Sequence, residues 1–177
     1  MPSSADGPAV ADGAAGVRIG IGRDIHRLAA GKKLMLGGVC VSEVVGCVAH
    51  SDGDCLLHAL MDAMLGALAL PNIGVLFPDS DARNRGRSST EMLAHVAEIV
   101  DNEGYGIVNV DLVILLETPK LNPFIEKIAA SIAKSLAVDR HMVGLKATTA
   151  ETVGPIGASE AIEAMAVCLL GRRHTAT

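Results

Sequence analysis

The sequence predicts an α+β domain in which a mixed β-sheet carries helices on one face. Three stretches carry that expectation. Val17, Ile19 and Ile21 alternate with Arg18, Gly20 and Gly22, the period-2 signature of a strand. Leu57, Leu60, Met61, Met64, Leu65 and Leu68 recur at the spacing of a helix with one broad apolar stripe. Residues 107–117 become almost wholly apolar towards their end, as a strand covered on both sides does.

Residues 1–16 are small or polar but for Met1 and Val10 and hold no Lys or Arg, so they predict a disordered tail rather than a secretory or transit segment. One domain is expected over 17–172, with a short tail at 173–177. Along the first strand, Asp24 and His26 continue the face of Gly20 and Gly22, where backbone or ligand can come close. Gly37-Gly38 between two short apolar runs predicts a hairpin. Ser51 reads as a helix N-cap with Asp52 and Asp54 in the first turn, and Pro71 ends that helix. Residues 71–87 form a long loop, a length more often functional than accidental. Ser88-x-x-Glu91 is a capping box for a helix that Gly104 closes. Asn122-Pro123 starts a helix to about Leu136, and Met142 to Thr149 is a strand. Ser159 caps a last helix ending near Gly171. One face of the sheet is then left bare, and a second copy of the chain is the natural cover.

A net charge of −5, a pI near 5.6 and 2% aromatic residues argue against a nucleic-acid partner. Mean hydropathy is high at +0.39, yet no stretch approaches the roughly 20 apolar residues of a membrane span. That apolar excess predicts helices buried on most sides. The four cysteines show no C-x-x-C pair, which suits a reduced, cytoplasmic protein.

Asp24, His26 and His58 make a possible His₂Asp set. Three protein ligands with a fourth position open is the catalytic rather than the structural zinc pattern, and these donors suit Zn²⁺ or Mn²⁺. Asp54 and Asp62 stand four residues either side of His58, so they share its helix face and would orient the imidazole. A core histidine satisfied by hydrogen bonds is the alternative, and spacing alone leaves it open. Lys146-Ala147-Thr148-Thr149-Ala150-Glu151 is a second polar cluster, at a strand end. Its hydroxyls and amides suit phosphate oxygens and Glu151 a hard cation such as Mg²⁺, unless it is only a Thr-rich strand edge. There is no G-x-S-x-G, and Gly20-x-Gly22 lacks the third glycine of a dinucleotide site.

Taken together, six segments resemble one family. They are Arg18-Ile19-Gly20-x-Gly22-x-Asp24-x-His26, Leu36-Gly37-Gly38-Val39, His50-Ser51-Asp52-Gly53-Asp54-x-Leu56-Leu57-His58, Phe77-Pro78-Asp79, Pro119-Lys120-Leu121 and Lys146-Ala147-Thr148-Thr149-x-Glu151. Over about residues 17–172 the chain resembles the 2-C-methyl-D-erythritol 2,4-cyclodiphosphate synthases. The resemblance implies a homotrimer with active sites between subunits and a CDP-linked substrate. It places zinc on Asp24, His26 and His58, and a second cation, Mg²⁺ or Mn²⁺, on the diphosphate with help from Glu151. The substrate's 2-phosphate would attack the β-phosphorus, close a cyclic diphosphate and expel CMP. By the same resemblance His50 and Thr149 stabilise the transition state. Ser51, Asn72, Ile73, Gly74, Phe77, Pro78, Asp79, Ser80 and Asp81 hold the methylerythritol and phosphate portion. Leu116, Glu117, Thr118, Pro119, Lys120, Leu121, Asn122 and Thr148 form the cytidine pocket of the neighbouring subunit, and Thr149, Ala150 and Glu151 also bind substrate. The family usually has His at Ile21, Phe at Arg23, Asp at Asn72 and Arg at Ala158. Asn72 keeps an acceptor and loses the charge. A different phosphotransfer enzyme on this scaffold, or a non-catalytic trimer that binds nucleotide or metal, are the competing readings.

Overall fold

The alternating stretch folds as strand β1 (Val17–Ala30), and the strand paired with it along its length comes from the far end of the chain. The structure, a computed structural model, describes residues 16–173. The tails expected over 1–16 and 173–177 lie outside the described residues but for Gly16 and Arg173. After β1 come the hairpin β2 (Leu34–Leu36) and β3 (Val39–Ser42), strand β4 (Val45–Cys47), helix α1 (Cys55–Ala67) and the short helix α2 (Ile73–Leu76). Helix α3 (Ser89–Asn102), strand β5 (Tyr105–Leu115), helix α4 (Ile125–Ser135), strand β6 (Val143–Thr148), the turn-like helix α5 (Gly154–Gly157) and strand β7 (Ala161–Arg172) follow. The main sheet has the order β4-β1-β7-β5-β6; β5 and β6 run parallel and the other pairs antiparallel.

The last element corrects the sequence reading: residues 161–172 are a strand, not a helix. Ala, Glu, Met and Leu favour a helix locally. Here, however, the segment fills the sheet between β1 and β5, and tertiary pairing overrides propensity. Its side chains at Ile162, Ala164, Ala166, Cys168 and Leu170 are fully buried on the helix-bearing face. The alternate residues Met165, Val167 and Leu169 are apolar too, which erased the period-2 pattern.

Helix α1 lies on β1 and β7, and the packing is close because β1 offers no side chains there. A Cβ at Gly20 or Gly22 would fall 1.9 Å from the carbonyl oxygens of Ala63 or Ala59. The helix also starts later than Ser51. Gly53 turns the chain at φ +74°, and Asp54 is the N-cap. Its two oxygens accept from Leu57 N–H at 3.1 Å and Gly38 N–H at 2.7 Å, so one buried carboxylate caps α1 and ties it to the β2–β3 turn. Asp52 and Asp54 therefore precede the first turn rather than lie in it.

Ser88 caps α3 as the capping box predicts, accepting from Thr90 N–H. Helix α4 begins at Ile125, two residues beyond Pro123, with Phe124 in the N-cap position. The 71–87 loop holds α2 and a single 3₁₀ turn at Ala82–Asn84. Strand β4, which nothing in the alternation announced, pairs with the end of β1 at Leu28–Ala30. The helices cover one face of the sheet, as expected. On the other, Ile19 and Ile21 are 70% and 72% exposed.

Candidate functional site

Close packing of α1 on the glycine face of β1 brings three donors to one point. His58, one turn into α1, places Nδ1 3.1 Å from Asp24 Oδ2. His26 Nδ1 lies 3.0 Å from the same oxygen. The two imidazole centroids are 5.3 Å apart, and one ligating atom from each of the three residues fits within 4.8 Å of the others.

His26 Nδ1 is buried and, despite its closeness to Asp24, makes no aligned hydrogen bond. A buried polar atom without a partner is costly, so a cation between these groups would satisfy what the protein leaves open. The donor chemistry, two imidazoles and a carboxylate, fits Zn²⁺ or Mn²⁺. Burial pushes the Asp24 carboxyl up, but the flanking His26 and His58 more than reverse this and hold it well below the usual carboxylate range. Burial pushes His58 down, and Asp24 beside it raises it above its ordinary value. Cys55 is no ligand, since burial pushes its thiol far up and its Sγ points at the Asp24 carbonyl, 3.2 Å away.

A cleft of about 360 Å³ opens over these donors, and His50, Ser51, Ile73, Gly74, Phe77 and Asp79 line it. His50 is half-exposed, its Nδ1 3.7 Å from Asp79 Oδ2. Asn72 caps α2 in position but not by its side chain. Asp81 is engaged by Arg83, and the Pro78 carbonyl accepts from the Asn84 side chain.

The structure gives His58 hydrogen-bond partners that sequence spacing did not. They are Asp24, Ser51 and Ser89, not Asp54 or Asp62. Asp54 turns back to cap its own helix, and Asp62 accepts from Ile73 N–H at 2.8 Å, anchoring α2 instead. Ser89 is fully buried and lies 31 residues away in sequence. Nothing in the sequence singled it out, because its contact with His58 arises only where α3 packs against α1.

The Thr148–Glu151 cluster lies elsewhere. Leu116, Lys120, Leu121, Asn122, Thr148 and Thr149 line a separate cleft of about 190 Å³. Thr149 donates to Glu151 at 2.7 Å, and Glu117 faces Thr152 N–H. The Thr118–Pro119 bond is cis, and Thr118 Oγ1 meets Ser159 Oγ at 3.1 Å. In register, Thr148 pairs with Leu115, Leu115 with Glu163, and Glu163 with Ile25. Three strand spacings, about 14 Å, thus separate this cluster from Asp24 and His26 within one chain.

The YgbB family model matches residues 17–171. The 2-C-methyl-D-erythritol 2,4-cyclodiphosphate synthase of Chlorobaculum tepidum is 47% identical over 154 residues, covering 87% of this chain and 98% of that one. The solved Plasmodium falciparum IspF–CDP complex superposes with a TM-score of 0.80 at 34% identity, over 90% of this chain and 98% of that one. The bifunctional IspDF of Campylobacter jejuni superposes with a TM-score of 0.85 at 35% identity, over 88% of this chain and 42% of that one. The present chain thus spans less than half of that bifunctional protein. Fold, donor set and sequence agree that the chain belongs to the YgbB family, as a relative of the 2-C-methyl-D-erythritol 2,4-cyclodiphosphate synthases.

Proposed function

We infer that the chain converts 4-diphosphocytidyl-2-C-methyl-D-erythritol 2-phosphate to 2-C-methyl-D-erythritol 2,4-cyclodiphosphate and CMP, as a phosphorus–oxygen lyase of the non-mevalonate isoprenoid precursor pathway. The observation that carries this reading is the convergence of Asp24, His26 and His58 under a cleft lined by His50 and Ser51. An oxygen of the 2-phosphate attacks the β-phosphorus. The bond from that phosphorus to the bridging oxygen breaks, and CMP leaves with the electron pair. No protein nucleophile is needed, so the protein's work is to fold the substrate and neutralise charge. Bound Zn²⁺ at Asp24, His26 and His58 would polarise phosphate oxygens, and Glu151 suits an Mg²⁺ or Mn²⁺ on the diphosphate. His50 and Ser51 hold and orient the attacking phosphate; Phe77 and Asp79 enclose the methylerythritol.

Thr149 and Glu151 act on the same diphosphate, yet about 14 Å of sheet separates them from the Asp24 site. One diphosphate cannot reach both within a chain. A homotrimer resolves this, with the cytidine pocket of residues 116–122 and Thr148 supplied by the neighbour. The exposed Ile19 and Ile21 face supports it, being an apolar surface that a second copy would cover. Mixing His58→Ala chains with Thr149→Ala chains tests the arrangement. Two inactive variants that regain CMP release on subunit exchange fit shared sites; mixtures that stay inactive after proven exchange contradict them.

A further inference from the structure

A histidine that binds a metal through one nitrogen keeps a proton on the other, and what lies behind the ring decides which. Behind His58, Nε2 lies 3.0 Å from Ser89 Oγ and 3.2 Å from Ser51 Oγ. Ser89 is the first residue of α3 and fully buried. Its Oγ stands 2.5 Å from Asp52 Oδ1, and its N–H donates to Asp52 Oδ2 at 2.9 Å.

A carboxylate only accepts, so the single hydroxyl proton of Ser89 is committed to Asp52. Ser89 Oγ therefore turns a lone pair to His58 Nε2, and that 3.0 Å contact is favourable only when Nε2 carries the proton. Ser51 does not reverse this. Were its hydroxyl to donate to a bare Nε2, Ser89 Oγ and Nε2 would face each other without a proton between them. We propose that Asp52 and Ser89 are positioning residues that hold the His58 proton on Nε2 and so present its Nδ1 lone pair to the cation. The inference rests on reading Asp24, His26 and His58 as the cation site. It gives the Asp52 of the His50–Asp54 segment a role distinct from helix capping.

Nitrogen-15 NMR of the histidine-labelled, zinc-loaded full chain reads the tautomer directly. The expected spectrum has a proton coupled to His58 Nε2 and a zinc-shifted Nδ1; a proton on Nδ1, or zinc on Nε2, overturns the proposal. Chelator competition with zinc gives a second readout. Ser89→Ala is expected to weaken zinc about 10–100-fold, the range typical of such partners. Asp52→Asn should weaken it less, and the double variant no more than Ser89→Ala, because the two act as one chain. Wild-type affinity in Ser89→Ala, or losses that simply add, would overturn it. His58→Ala separates the two levels: if that variant binds zinc like the wild type, the cation site itself is misassigned. Should Ser89→Ala fail to fold, the spectrum of the unsubstituted chain still decides.

Discussion

Adding one methyl group to β1 tests how the site is assembled. In Gly22→Ala the new Cβ would fall 1.9 Å from Ala59 O and 2.7 Å from Ala63 N, where ordinary contact begins at 3.4 Å. Both obstacles are helix backbone, which cannot rotate aside as a side chain can. Relief requires α1 to lift from the sheet by about 1.5 Å, the shortfall between those distances. Overpacking typically costs about 1–3 kcal/mol, and a backbone clash belongs at the upper end. Alanine recovers about 0.5–1 kcal/mol over glycine from backbone entropy, leaving a net loss of about 2–2.5 kcal/mol. At about 2–4 °C per kcal/mol for a chain of this size, Tm should fall by about 4–10 °C. His58 adjoins Ala59 and moves with it, away from Asp24. Misplacement by about 1 Å can cost about a hundredfold in activity, so CMP release should fall steeply alongside zinc affinity. The assay is thermal unfolding by circular dichroism at fixed protein concentration, with zinc competition on the same samples. Gly66→Ala is the matched control: its Cβ meets only Ile21 O, at 3.8 Å. In the last turn of α1, which ends at Ala67, it should stabilise by up to about 0.5–1 kcal/mol. A Gly22→Ala protein with unchanged Tm and zinc affinity would refute the packing argument.

Other outcomes follow from the same geometry. His58→Ala should lose bound zinc and CMP release while its circular dichroism spectrum stays native; retained turnover would sink the metal assignment. Asp54→Ala removes a helix cap worth about 1 kcal/mol and leaves the Gly38 N–H unpaired at about 1–3 kcal/mol, so urea unfolding should show about 2–4 kcal/mol lost. A loss under about 0.5 kcal/mol would deny the carboxylate its double role. The metal-free protein should also lose stability as pH rises. Burial lowers the His58 pKa in the folded state, but Asp24 beside it, with Asp54 and Asp52, raises it above its ordinary value. The His58 contribution is then complete below the unfolded value near pH 6.5 and fades as pH climbs through the raised folded value. Urea midpoints recorded with chelator should fall across that window, and a flat series would contradict the coupling. Zinc must displace that proton, so its affinity should rise over the same interval.

Much of the site was legible because its residues sit in short local patterns. Asp24 and His26 share a strand face by alternation, and their glycine neighbours announced the close approach that proved to be α1. What alternation could not announce was β7. A central strand is apolar on both faces, and this one uses Ala164 and Ala166 where the helix presses, so its composition mimics a helix. The N-cap was misplaced by three residues for a related reason. Ser51 has the right chemistry, but the left-handed turn at Gly53 and the buried demand of two amides select Asp54. Ser89 was invisible because its meaning comes from α3 crossing α1, a contact of high sequence separation. Of the expected substrate residues, Ile73, Gly74, Phe77 and Asp79 line the donor cleft. The 116–122 group lies at the opposite side of the sheet, a split that strand order alone produces.

Phosphorus-31 NMR of the chain incubated with 4-diphosphocytidyl-2-C-methyl-D-erythritol 2-phosphate, with and without chelator, reads the proposed cyclisation itself. Two coupled resonances of a cyclic diphosphate and one CMP per substrate consumed are expected, both abolished by chelator and restored by Zn²⁺ with Mg²⁺. Open-chain inorganic phosphate, or turnover indifferent to metal, would contradict it.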